Sequence, residues 1–121
     1  GVPAFIDEWI SSYYDETMKD RPIVLAGLTW LDAEANRRHG ATFATLTEAQ
    51  QAGLADDICG AKPVKTEHKP GQEFFKRFRH LTAGGYYTTP QGMRELGYVG
   101  NTPSANFDGP TPEALKHLGL A

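Results

Sequence analysis

Apolar positions recur at helical spacing in several stretches of the chain, and Pro and Gly punctuate the ends of each. From Pro3 to Tyr14, Phe5, Ile6, Trp9, Ile10 and Tyr13 share one face, with Asp7, Glu8 and Ser11 elsewhere. This spacing predicts a helix that tolerates Pro in its first turn. A second helix is expected from Arg21 or Pro22 to His39, with Asp20 as N-cap and Gly40 as stop. Its stripe is Val24, Leu28, Leu31 and Ala35, joined by Trp30, and Arg37, Arg38 and His39 suit the negative end of its dipole. Thr47-Glu48-Ala49-Gln50 reads as a capping box opening a third helix, with Leu54, Ala55, Ile58 and Cys59 apolar and Gly60 as its end. The polar run from Ala61 to Lys69 reads as an exposed loop.

A fourth helix is expected from Gly71 to Thr82, stopped by Gly84-Gly85. Phe74, Phe78 and Leu81 form its apolar face, with Phe75 beside them, and Lys76, Arg77 and Arg79 form a solvated one. Thr89-Pro90 opens a short helix to Leu96, and Thr111-Pro112 opens another through Leu118. Between them, residues 98 to 109 are dense in Gly, Asn, Pro and Asp and should be irregular. Tyr86-Tyr87-Thr88 is the only β-like run and has no pairing partner. The expectation is an all-α fold: one compact domain over residues 1–121, four to six helices, and a long irregular Gly/Pro/Tyr-rich C-terminal connection.

Composition narrows the function classes. At 121 residues the chain has the length of one domain able to bury its own core. A net charge of −3 leaves no electrostatic footprint for nucleic acid or an anionic membrane. The apolar runs are too short to span a bilayer. A single cysteine, Cys59, excludes an internal disulfide, a four-thiolate metal site and c-type haem attachment. It reads as a small buried hydrophobe, with a bond to a partner chain as the alternative. His39, His68, His80 and His117 lack metal-ligand spacing; Glu113 and His117 read as a surface pair. The adjacent pairs Asp15-Glu16 and Asp56-Asp57 point apart on a helix, and Asp32 and Glu34 read as polar-face residues. No nucleophile elbow or phosphate loop occurs. The chain itself is therefore expected to carry no catalytic residue, cofactor or metal.

The informative stretch is Leu81 to Pro110. Within it Tyr86, Tyr87, Met93 and Tyr98 sit among glycines that allow close backbone approach. Tyrosine is favoured at interface hot spots and methionine adapts to a partner surface. The same side chains suit a second task, anchoring the connection to the core, and the residues leave both readings open.

The run Thr82-Ala-Gly-Gly-Tyr-Tyr-Thr-Thr-Pro-Gln-Gly-Met-Arg-Glu-Leu-Gly-Tyr-Val-Gly-Asn101 resembles the signature of the gluconate 2-dehydrogenase subunit 3 family. Phe74-Phe75-Lys-Arg-Phe-Arg-x-Leu-Thr82 and Leu28-x-Trp-Leu-Asp32 resemble that family too, so the likeness runs from about Asp20 to Leu118. It implies a non-catalytic small subunit of a membrane-bound sugar or sugar-acid dehydrogenase. FAD would lie in a large partner subunit and haem in a cytochrome c subunit that passes electrons on. The small subunit would help assemble, stabilise and export the folded flavoprotein, placing it in the periplasm at the inner membrane. Members of the family typically bear a twin-arginine signal. The chain begins at Gly1 without one, and a removed N-terminus would account for that. Two other readings stand beside it: a stand-alone helical interaction domain with a different partner, and a free-standing enzyme with an unrecognised pocket.

Overall fold

The longest helix, α2, runs Asp15–His39, 25 residues, about 37 Å at the standard rise. The computed structural model describes residues 1–120. The other helices are α1 (Val2–Ser11), α3 (Glu48–Ile58), α4 (Lys69–Tyr87), α5 (Pro90–Glu95) and α6 (Pro112–His117). Single 3-10 turns at Phe43–Thr45 and Thr66–His68 precede α3 and α4. Among the described residues there is no strand, so the fold is all-α with six helices. Helices α2 and α4 form the central pair; α1 lies against both, α3 against α4, and α5 against the end of α4. The core between them is Ile6, Val24, Leu31, Ala35, Leu46, Leu54, Ile58, Phe74 and Leu81.

The α2–α4 pair is close because each helix gives a glycine to the other's aromatic ring. A Cβ added at Gly27 on α2 would overlap the Phe74 side chain, and one added at Gly71 on α4 would overlap the Trp30 indole. Gly27 and Trp30 are three apart on α2, Gly71 and Phe74 three apart on α4, so both contacts lie on facing stripes. Phe74 continues along α4 to Phe78, ring centroids 5.1 Å apart.

Several expected boundaries move, some of them because tertiary contacts outweigh the local signal. Helix α1 ends at Ser11, not Tyr14, and Tyr13 is 81% exposed rather than on the buried face. Helix α2 starts at Asp15, so Pro22 lies inside it and Asp20 is not an N-cap. The turns upstream of the proline are held by one local bond and by one ion pair from another helix. Thr17 Oγ1 donates to the Tyr14 carbonyl at 2.8 Å, and Asp20 is buried in an ion pair with Arg77. Helix α4 runs through Gly84-Gly85 to Tyr87, so the β-like run is helical or at a helix end. Gly85 is retained there because a Cβ would meet Phe5 of α1 at 2.7 Å. The 61–69 loop is not wholly exposed, since His68 is buried, its ring edge-on to Trp30. Arg77 leaves the solvated face to pair with Asp20. Gly40 (φ 70°) does end α2, and the Thr47–Gln50 capping box is present in full.

Leu31 is buried as expected, whereas Leu28 is 43% exposed. Leu28 lies between two apolar grooves, about 420 Å³ beside Ile10 and Val24 and about 300 Å³ beside Phe43 and Phe75, both edged by Phe78. Leu31→Ala should therefore cost about 2–4 kcal/mol and Leu28→Ala clearly less. The two midpoints in denaturant unfolding check this; equal shifts would show the stripe to be wrongly divided.

Candidate functional site

The C-terminal end of α4 and the start of α5 form a tight corner built by local capping. Pro90 presets the first turn of α5. Thr89 caps it, its Oγ1 accepting the Gly92 N–H at 3.1 Å and donating to the Tyr86 carbonyl at 2.6 Å. Gly92 is buried against the α4 backbone, and an added Cβ would meet Tyr87 Cα at 2.8 Å. Only glycine lets the two helices approach this closely.

The four candidate residues divide at this corner. Tyr86 and Tyr87 meet edge-on, centroids 5.2 Å apart. The Tyr86 hydroxyl donates to Glu95 Oε1 at 2.7 Å, and Gln91 Nε2 donates to the same oxygen at 3.2 Å. That bond to a carboxylate holds the Tyr86 phenol above its usual pKa. Met93 is half-buried, and its carbonyl accepts the Tyr98 N–H at 2.9 Å. Tyr87 and Tyr98 present 44% and 63% of their surface outward, beside Leu96 at 61%. Tyr86 and Met93 thus tie the corner down, and Tyr87 and Tyr98 leave flat amphipathic rings facing out. Sequence reasoning missed Gln91, Glu95 and Leu96, whereas Gly92 is one of the glycines it read as allowing close backbone approach. The Tyr86–Glu95 bond crosses a chain reversal with no fixed spacing, but the Thr89-Pro90-x-Gly92 pattern did hold a usable sign of close packing.

Other polar clusters are consumed by the fold. Glu34, on α2, accepts Arg37 Nε at 2.8 Å and Arg38 Nε at 2.6 Å. Arg38 reaches on to Asp57 Oδ2 of α3 at 2.7 Å and to His68 Nε2 at 3.1 Å. The arginines, Arg37 foremost, hold the Glu34 carboxyl down at about 2. Arg38 likewise holds the Asp57 carboxyl low. Glu34 is therefore more than a polar-face residue, because its network with Arg38, Asp57 and His68 ties α2, α3 and the 3-10 turn together. Among the described residues no group of three or more His, Cys, Asp or Glu is placed to hold a metal ion. Cys59 is half-buried and its thiol donates to the Asp56 carbonyl at 3.4 Å. An open cleft of about 630 Å³ along the outer face of α4 carries Lys76, Arg79, His80 and Glu73 with no nucleophile beside a base.

Glu34 makes acid stability a test of this network. Its pKa is lower folded than unfolded, so its contribution is fully present above about pH 4.5 and fades as pH falls toward 2. The loss should reach about 2 kcal/mol, less than the shift alone would give because Arg37 is largely solvated. Glu34→Gln should flatten the acid limb of stability against pH; an unchanged limb would mean that the network contributes nothing.

No helix among the described residues is long and apolar enough to cross a membrane. A family model described as gluconate 2-dehydrogenase subunit 3 matches residues 1–109 of the chain. No curated protein and no solved structure matches it.

Proposed function

The chain belongs to the gluconate 2-dehydrogenase subunit 3 family, and on that premise we propose that it is the non-catalytic small subunit of an FAD-dependent gluconate or related sugar dehydrogenase complex. The family's description is that of a subunit of gluconate 2-dehydrogenase. Flavin chemistry then belongs to a large partner subunit and onward electron transfer to a haem c subunit, while this chain does no chemistry. Its work is to bind the flavoprotein, stabilise it and accompany it through twin-arginine export to the periplasmic side of the inner membrane. The family match over residues 1–109 is the observation that carries this reading. The geometry supplies a surface: Tyr87 and Tyr98 face outward on a corner held by the Tyr86–Glu95 bond, the Tyr98 N–H on the Met93 carbonyl and the close approach at Gly92. Rigid aromatic rings lose little entropy when a partner covers them.

The test is co-expression with the large subunit. The chain should co-purify with it and raise the yield of active dehydrogenase. Tyr87→Ala should weaken capture about tenfold or more, while the thermal midpoint of the isolated chain stays near wild type. A midpoint that falls in step with capture would assign Tyr87 to folding instead. Oxidation of gluconate by the isolated chain with an artificial acceptor would overturn the subunit reading.

A further inference from the structure

Beyond the α4–α5 corner the chain leaves the helical bundle. Residues 97–111 hold no helix or strand, and α6 buries no residue fully. Apolar side chains are nonetheless set along this segment and face water: Val99 is 80% exposed, Phe107 100%, Leu118 64% and Leu120 71%. Solvated linkers are poor in aromatic and β-branched side chains. Among the fifteen residues 97–111 only Asp108 is charged, whereas Lys62, Lys65, Glu67 and Lys69 fall within the nine residues 61–69. Pro103, Pro110 and Pro112 restrict the unbound segment, so less entropy is lost when it is ordered.

We propose that residues 99–120 form an arm that lies along the surface of the large dehydrogenase subunit, burying Val99, Phe107, Leu118 and Leu120 there as a contact separate from the tyrosine corner. This rests on the subunit reading above. Three observations support that partner. The family match continues through residue 109, so Val99 and Phe107 lie within the matched part of the chain and Leu118 and Leu120 just beyond it. The arm is continuous with the corner, the Tyr98 N–H bonding the Met93 carbonyl where it begins. Together with Leu96 and Tyr98 of the corner, the exposed apolar side chains offer roughly 600–900 Å², so arm and corner combined approach the ~800 Å² per partner of a standard interface.

Hydrogen exchange on the full chain, free and bound to the purified large subunit, tests this together with the triple variant Val99→Ser/Phe107→Ser/Leu118→Ser. Amides 99–109 should exchange fast in the free chain and at least tenfold more slowly in the complex. The triple variant should bind the large subunit about 10- to 100-fold more weakly, with an unchanged thermal midpoint. Equal exchange in both states overturns the arm, as does a triple variant that binds like wild type while Tyr87→Ala still weakens binding. A midpoint that drops with affinity overturns it by placing these side chains in the core. Sedimentation of the free chain covers the remaining occupant: a dimer abolished in the triple variant would make a second copy the partner. Failure of the wild-type chain to bind the large subunit at all defeats the subunit reading itself.

Discussion

Gly27→Val should destabilise the chain by about 3 kcal/mol or more, at the upper end of what overpacking costs, and lower the thermal midpoint by roughly 10 °C. The new Cβ would overlap Phe74 at its own Cβ and Cγ, atoms that rotation of the ring cannot move out of the way. Phe74 is 5% exposed, so it has no outward rotamer to take without uncovering the core. Helices α2 and α4 would have to separate, and the reciprocal Trp30–Gly71 contact three residues away would open with them. The gain in helix propensity on losing a glycine is at most about 1 kcal/mol and does not offset this. Gly84 provides the contrast. It lies inside α4 with nothing within 4 Å of an added Cβ, so Gly84→Ala should stabilise by several tenths of a kcal/mol. Circular dichroism melts of both variants decide the matter: a Gly27→Val midpoint close to wild type would mean that the interlock is not what sets the helix spacing.

These glycines also mark where the residue pattern stopped being informative. Gly40 and the Thr47 capping box act through neighbours a few residues away, and both are where the pattern put them. Gly84-Gly85 carried the same local signal, a helix stop, yet α4 passes through because Phe5 of α1 lies against Gly85. Pro22 likewise reads as a first-turn residue, and the helix nevertheless begins seven residues earlier. Propensity at one site is worth about 1 kcal/mol for glycine, and about 3 for proline. Contacts between distant segments exceed that without leaving any trace at the site itself. The corner shows the same division. Its tyrosines and glycines were visible as a cluster, but the separation of Tyr86 from Tyr87 depends on Glu95, nine residues on. Leu28 shows the opposite error: its spacing places it on the stripe, and only the packing of α1 and α3 on either side leaves it half in water.

Asp20→Ala should cost about 3 kcal/mol, the lower part of the range for breaking a buried ion pair. One carboxylate joins three helices here. Asp20 on α2 is 5% exposed, accepts the Trp9 indole N–H of α1 at 2.8 Å, and accepts Nε and Nη2 of Arg77 on α4 at 2.5 Å each. The Arg77 bonds, foremost among its neighbours, hold the Asp20 carboxyl below the usual range, so the charged form is the one the fold selects. Alanine would leave the indole N–H without its acceptor and the guanidinium without its counter-charge. The Arg77 side chain is 31% exposed, so water can recover part of that loss, which is why the cost stays in the lower part of the range. Arg77→Ala should be comparably damaging, because it strands a buried carboxylate with Trp9 as its one remaining side-chain donor. The double variant removes both charges and should be destabilised by at least 1 kcal/mol less than the two single losses added together. A strictly additive cycle would show that the pair does not interact energetically. The position of the loss can be read as well. Without Asp20, α1 keeps only its apolar contacts, including Phe5 against Gly85, next to the corner that carries Tyr86 and Tyr87. Hydrogen exchange in Asp20→Ala should therefore rise first in α1 and at the C-terminal end of α4, while α3 stays protected until global unfolding.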